Sequence, residues 1–196
     1  SFILLFSILS IVLLTSQRCS ESKKELPESN VYPVNPIDFS QSMLLYIKSE
    51  LSYKDYLDTL KQINLKKLHS ELNTSNKKLA FWINTYNSLV QIRLLENPSL
   101  FQDKNAFFKK NDIIIGGEKL SLNDIENGIM RLKTDENITN LFITKKFMLQ
   151  TLESRIHFTL NCGATSCPAI AYYNPDELEQ QLDNATRFYV ENNCEY

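Results

Sequence analysis

The sequence predicts a helix-rich α+β fold, a single domain with a small sheet. Apolar residues recur at helical spacing over most of residues 38–96. A Gly116-Gly117 pair separates two short β-type runs, and a β-branched and aromatic run, Ile156–Leu160, ends at a turn. At 196 residues the chain can form one domain with a buried core and still carry a leader.

The first 19 residues are typical of an export signal. Residues 1–14 carry no charge, and a short polar stretch follows them. Such a run is too short for a membrane-spanning helix, which needs about 20 residues, but it suits the apolar region of a signal peptide. Two alternatives stay open: cleavage near Ser16, or lipid attachment at Cys19. The sequence therefore predicts an exported protein (periplasmic, surface-bound or secreted) that contacts a membrane only through such an anchor.

Residues 20–37 are polar and contain several prolines, so they are predicted to be a tether. The domain is expected to occupy residues 38–196. Its first part has apolar residues at helical spacing up to Ile63, followed by a short helical segment around His69.

The longest helix is predicted from Ser75, as its N-terminal cap, to Glu96, where Asn97-Pro98 ends it. Its apolar stripe is wide, so the helix should be largely buried. Trp82 and Tyr86 are interpreted as core residues of this helix.

The second half of the domain begins with a hairpin over residues 112–120. Ser121 is then expected to open a helix with Asp124 in the capping-box position. Residues 138–153 are ambiguous. The run Ile156–Leu160 is predicted as a buried strand, and Asn174-Pro175 begins a last helix that reaches Glu191.

Four segments of the chain resemble the family called domain of unknown function 547. They lie in the family's order across most of residues 45–190, and they are Ala80–Asn87, Leu120–Ile129, Arg155–Pro168 and Tyr173–Leu182. The resemblance implies the fold of that family and brings no established activity. It also implies that a further strand-like segment of the family's domain is missing beyond residue 196.

The third of these segments contains two of the four cysteines and one of the two histidines. A cysteine nucleophile needs a base, a group that orients the base, and donors for an oxyanion. We therefore consider Cys162 or Cys167 as nucleophile, His157 as base and Glu126 as the orienting carboxylate. The backbone amides of residues 163–165 are candidate oxyanion donors.

The predicted strand complicates a pairing of His157 with Cys162. Five extended steps would separate them by roughly 16 Å and place them on opposite faces. Their pairing requires the chain to bend by Asn161, whereas Cys167 can approach His157 from the returning arm of the loop. The other histidine, His69, could reach the site only through tertiary folding.

A binding role is the alternative to catalysis. Arg155, His157 and Asn161 share one face of the predicted strand, and Ser166 would close that face. Such a polar cluster could hold a carboxylate or an amide. Asn84, which lies three residues before Asn87 on the longest helix, either reaches this site or caps buried backbone groups, and we favour the second interpretation.

The cysteines also have a structural interpretation. In an exported domain, Cys162 and Cys167 are well placed for a disulfide. The disulfide would contribute roughly 2 kcal/mol to the free energy of unfolding and would remove the thiol nucleophile.

No metal site is predicted, because the spacing of His157, Cys162 and Cys167 lacks the short cysteine knuckle typical of zinc sites. No cofactor is predicted. Nucleic acid is not an expected partner, because the net charge is −2 and no basic face carries interleaved aromatic residues.

Two hypotheses follow from the sequence. The first is a Cys–His hydrolase or acyl-transferase whose mechanism loosely resembles that of papain or the transglutaminases. The second is a non-catalytic module that binds a small molecule or peptide on a disulfide-braced loop.

Overall fold

The computed structural model describes residues 35–164 and 167–193 of the chain. It confirms the helix-rich α+β fold with a small sheet. The predicted leader, the candidate lipid-attachment residue Cys19 and the predicted tether up to residue 34 lie outside the described residues. Within the described ranges, no helix combines the length and the apolar character needed to cross a membrane.

The described residues contain α-helices, shorter helical turns and one hairpin. The α-helices are α1 (Pro36–Lys48), α2 (Lys54–Gln62), α3 (Leu65–Glu71), α4 (Ser75–Glu96), α5 (Lys104–Lys109), α6 (Leu141–Phe147) and α7 (Leu178–Asn193). The 3-10 helices are Pro98–Gln102 and Ser154–Phe158, and Asp124–Met130 winds as a π-helix. The strands are β1 (Ile113–Ile115) and β2 (Glu118–Leu120), which pair antiparallel.

Helix α4 forms the centre of the core, as its wide apolar stripe predicts. Trp82 and Tyr86 are fully buried, which confirms their interpretation as core residues. The helix begins at Ser75, but the cap is Thr74, whose hydroxyl accepts a hydrogen bond from the Lys77 backbone N–H at 3.2 Å. The predicted cap at Ser75 is therefore wrong by one residue, because Thr74 has the extended backbone that a cap requires.

Helix α1 packs along α4 and begins earlier than its apolar pattern indicates. The Asn35 side chain accepts from the Ile37 N–H at 2.9 Å, and Pro36 fills the first helical position. Pro36 and Ile37, which are predicted from the sequence to belong to the tether, are thus buried residues of this helix.

The hairpin over residues 112–120 is confirmed, with Gly116-Gly117 at its turn. Both glycines have positive φ (59° and 81°), a conformation that glycine adopts without strain. Their N–H groups donate to the carbonyls of Leu60 and Lys61 at 2.8 and 2.9 Å. The turn therefore bonds to carbonyls in the last turn of α2, where the usual partner four residues ahead is absent.

The predicted strand Ile156–Leu160 is wrong. The chain forms a 3-10 helix there, because the Glu153 carboxylate accepts from the Arg155 N–H at 3.0 Å and caps the turn. The Thr159 N–H then donates to the Ile156 carbonyl at 3.0 Å. Ile156 still enters the core, but the face that the strand would have given Arg155, His157 and Asn161 does not exist.

Helices α6 and α7 each begin after an asparagine whose side chain accepts a backbone hydrogen bond. The ambiguous stretch contains α6, whose cap Asn140 accepts from the Ile143 N–H at 3.1 Å. The predicted last helix is present as α7, although it begins at Leu178. The three residues before it form a turn in which the Asn174 side chain accepts from the Asp176 N–H at 3.1 Å.

Candidate functional site

The candidate site is built on the π-helical segment that follows the hairpin. The fully buried carboxylate of Asp124 accepts hydrogen bonds from the Ser121 N–H at 2.7 Å and the Thr139 N–H at 2.6 Å. The capping-box role of Asp124 is thus confirmed, and its carboxylate also holds the segment against the loop before α6. This anchor fixes Glu126, two residues further on.

Glu126 lines a cleft. Its carboxylate accepts from the Tyr86 hydroxyl at 2.6 Å and from Arg131 Nε at 3.2 Å. The π winding explains the second contact, since the Arg131 N–H donates to the Glu126 carbonyl at 2.9 Å, five residues back. In an α-helix, by contrast, side chains three and four residues apart are the neighbours.

Burial holds the Tyr86 hydroxyl in its protonated form. Desolvation raises the pKa of Tyr86 well above its usual range, and the charge of Glu126 and the hydrogen bond to it raise that pKa further. Tyr86 is therefore a permanent donor to the carboxylate at neutral pH.

Asparagine side chains shape the cysteine loop. The Asn87 amide donates to the Thr159 carbonyl at 3.0 Å and accepts from the Asn161 N–H at 2.9 Å. Asn161 in turn donates to the Pro168 carbonyl at 2.8 Å across the loop. These hydrogen bonds tie the arm before the cysteine loop to α4 and to the arm after the loop.

Cys162 and Cys167 are placed as a disulfide-capable pair, with Cα atoms 6.1 Å apart, within the normal range for disulfides. The Cys162 N–H also points at the Cys167 sulfur, 3.1 Å away. Gly163 has φ of 85°, and a Cβ there would lie 2.8 Å from Leu94 Cδ1, so the loop requires glycine at this position.

A cleft of about 260 Å³ brings four sequence-predicted residues together: Glu126, His157, Cys162 and Cys167. Its lining residues are Tyr86, Glu126, Arg131, His157, Leu160, Cys162, Cys167, Pro168 and Tyr189. His157 is exposed, with its ring edge-to-face against Phe158. The roughly 16 Å separation expected from an extended strand does not apply, because residues 154–158 form a 3-10 helix, which rises less per residue than a strand.

The Glu126 carboxylate is engaged by Tyr86 and Arg131 in this structure, and no hydrogen bond joins it to His157 among the described residues. Of the expected oxyanion donors, the Gly163 N–H donates to the Asn161 side chain at 2.9 Å. Thr165 lies outside the described residues, as does Ser166.

Other sequence-predicted binding residues lie away from the cleft lining. Arg155 contacts Glu153, Glu179 and Asp183 at 2.8, 2.7 and 2.6 Å, and these hydrogen bonds raise its pKa. It thereby links the 3-10 helix to α7.

Asn84 is fully buried, and both ends of its amide bond to the backbone of Tyr173 at 2.9 Å. Asn84 and Asn87 thus both cap buried backbone groups, which confirms the interpretation favoured from the sequence. Asn161 likewise organises the loop through its hydrogen bonds.

Sequence reasoning missed Arg131 and the polar role of Tyr86. Tyr86 sits in an apolar stripe, where its hydroxyl gives no signal of a polar partner. Arg131 lies five residues after Glu126, a spacing that predicts a contact only if the π-helix is known. No group of three or more His, Cys, Asp or Glu side chains in the described ranges could hold a metal ion.

A family model described as "Protein of unknown function, DUF547" matches residues 69–190, more than half of the chain. The match includes α4, the hairpin, the π-helical segment and all residues that line the cleft. No curated protein and no solved structure matches the chain.

Proposed function

We propose that this chain, which belongs to the DUF547 family of proteins of unknown function, carries a thiol-dependent hydrolase or acyl-transferase site in the cleft. The observation that supports the proposal is the presence of two cysteines and His157 in one cleft above the Tyr86–Glu126–Arg131 cluster. A thiol and an imidazole in one concave site are the groups that acyl transfer through a thioester needs.

Cys167 is the better candidate nucleophile of the pair. The Cys162 N–H lies 3.1 Å from its sulfur and would stabilise the negative charge of a thiolate. His157 takes the thiol proton, the thiolate forms a bond to the acyl carbon, and the leaving amine or alcohol departs with that proton. Water or another acceptor then cleaves the thioester and restores the thiol.

The disulfide form cannot carry out this chemistry, so the active form must be reduced. A dithiol reductant converts the disulfide to two thiols and is itself oxidised to a disulfide. The proposal therefore assigns the paired cysteines to a resting form and the free Cys167 thiol to the active form.

The test is alkylation of the reduced chain by iodoacetamide across a pH series, with modified cysteines located by peptide mass. We expect Cys167 to be alkylated faster than glutathione near neutral pH, with about a ten-fold loss of rate in His157→Ala. His69→Ala is the matched control, since it removes the other histidine, which is exposed on α3. Hydrolysis of p-nitrophenyl acetate should fall about 100-fold in Cys167→Ser.

Alkylation at the glutathione rate, unchanged by His157→Ala, would overturn the enzyme proposal. It would support a second candidate, a non-catalytic module that binds its ligand on a disulfide-braced loop. One observation favours that candidate: the Glu126 carboxylate is bound to Tyr86 and Arg131 instead of to His157. In that case Cys162→Ser should lower the stability by about 2 kcal/mol and leave thiol reactivity ordinary.

A further inference from the structure

The cleft does not end at the cysteines. A second cavity of about 480 Å³ shares Glu126 and Cys162 with it. A third, of about 180 Å³, shares Lys109, Asn123 and Asn127 with the second. The three cavities are therefore adjacent, and together they are called the groove, which extends from the cleft, past Cys162, toward the loop before α6.

The part of the groove beyond the cleft is positively charged. Its lining includes three lysines, Lys104, Lys109 and Lys133, all exposed. The acidic residues there are Glu126, which is paired with Arg131, and Asp135. The lysines thus give the groove a local excess of positive charge on a chain whose net charge is −2.

The same walls carry amide side chains, which can bond to a peptide backbone. Asn105, Asn123 and Asn127 line the second cavity, with Phe108 as its aromatic residue. The Asn123 amide donates to the Asn137 carbonyl at 2.9 Å, and Asn127 donates to Asn123 at 2.9 Å. These contacts hold Asn123 and Asn127 in place at the wall, so their positions do not depend on a ligand.

The geometry points to an acidic polypeptide as the substrate of the cleft, with its carboxylates bound by Lys104, Lys109 and Lys133. The inference rests on the proposed function, since it takes the cleft as the place where an acyl bond is cleaved. A peptide fits better than a nucleic acid, because the second and third cavities combine amides with one aromatic residue, Phe108, and so lack a series of stacking rings in their described lining.

The test is binding of fluorescein-labelled hexaglutamate to the whole chain with the disulfide intact, followed by fluorescence anisotropy. Hexaglutamine is the neutral probe. We expect hexaglutamate to bind at least about ten-fold more tightly than hexaglutamine, with an affinity that falls as salt is added. The triple variant Lys104→Gln, Lys109→Gln, Lys133→Gln should lose about ten-fold or more of that affinity.

The matched control is the triple variant Lys54→Gln, Lys66→Gln, Lys119→Gln, which removes the same charge from exposed lysines outside the three cavities. An equal loss in this control would overturn the inference, since it would show attraction to net charge alone. Equal binding of the two peptides, or tighter binding of a single-stranded oligonucleotide, would also overturn it.

The two proposals fail separately in this design. Disulfide-linked protein has no reactive thiol in the cleft, so peptide binding tests the groove and leaves the chemistry aside. Selective hexaglutamate binding beside ordinary thiol reactivity would support the groove and contradict the hydrolase. Fast, His157-dependent alkylation without hexaglutamate binding would support the hydrolase and contradict the binding of acidic peptides in the groove.

Discussion

At the scale of single residues, the buried amide of Asn84 holds the segment that follows the cysteine loop against α4. Asn84 is fully buried, and its two amide atoms satisfy both the N–H and the carbonyl of Tyr173. We expect Asn84→Ala to lower the free energy of unfolding by about 2 kcal/mol, because the buried Tyr173 N–H loses its partner, whereas the Tyr173 carbonyl keeps a hydrogen bond from Gln41 Nε2 at 2.9 Å. Urea denaturation followed by circular dichroism measures this loss.

Asn111→Ala is the control for that variant, since Asn111 is an exposed asparagine just before β1. Its effect should stay within about 0.5 kcal/mol. A similar loss in both variants would contradict the role assigned to Asn84.

The buried asparagines show which part of the structure residue identity alone can predict. Asn84 and Asn87 at i, i+3 spacing predict two polar groups on one side of a buried helix, and backbone capping is the more frequent use of such groups. Their partners, Tyr173 and Asn161, are more than 70 residues away in sequence. Spacing in the sequence carries no information on partners so far away, so the sequence alone could not name them.

At the scale of elements, the π-helical segment packs closely on α6 through Gly128. A Cβ at this position would lie 2.7 Å from Thr144 Cγ2 and 3.3 Å from Ile138 Cδ1. Overpacking of this kind costs about 1–3 kcal/mol, while alanine gains about 1 kcal/mol in helix propensity. We therefore expect Gly128→Ala to destabilise the chain by about 1 kcal/mol in urea denaturation.

A second substitution tests the cause of that loss. Thr144→Ala removes the clashing methyl group, and it breaks no side-chain hydrogen bond of Thr144 in the described residues. In this background Gly128→Ala should become neutral or stabilising. If Gly128→Ala lowers the free energy of unfolding equally with and without the Thr144→Ala substitution, the contact between the two elements is not what requires glycine.

The elements that the sequence predicts well are those with a period or a turn signal. The apolar spacing of α4 and the glycine pair of the hairpin lead to the correct elements. The run Ile156–Leu160 has strand propensity, but a cap at Glu153 and the burial of Ile156 favour a 3-10 helix. Tertiary contacts decide which secondary structure such a short run adopts, and its composition does not reveal those contacts.

At the scale of the whole molecule, the cleft joins side chains that are distant in sequence. Tyr86 comes from α4, Glu126 and Arg131 from the π-helical segment and its C-terminal cap, His157 from a 3-10 helix and Tyr189 from α7. The sequence predicts His157, the cysteines and Glu126 as candidate site residues by their chemistry, and the structure places them in one cleft. The sequence could not show that Arg131 engages Glu126, because that contact depends on the unusual winding of one segment.

Burial of tyrosines in this core makes the stability of the whole chain sensitive to alkaline pH. Desolvation raises the pKa of Tyr173 from 10.0 to about 12, and it raises that of Tyr86 well above its usual range. The folded state thus keeps these protons after the unfolded state has lost them. Their contribution is present below about pH 10 and is lost as the pH rises through the folded pKa, at about 1.4 kcal/mol per pH unit for each group.

Tyr173→Phe isolates one part of this effect. The Tyr173 hydroxyl makes no hydrogen bond within the described residues, and burial is the cause of its raised pKa. The variant should therefore match the parent near neutral pH and exceed it by about 1 kcal/mol at about pH 11. Urea midpoints of the disulfide-linked chain at both pH values measure the difference. Parallel stability curves would show that Tyr173 does not retain its proton in the folded state, whereas a gain confined to alkaline pH assigns that loss of stability to its burial.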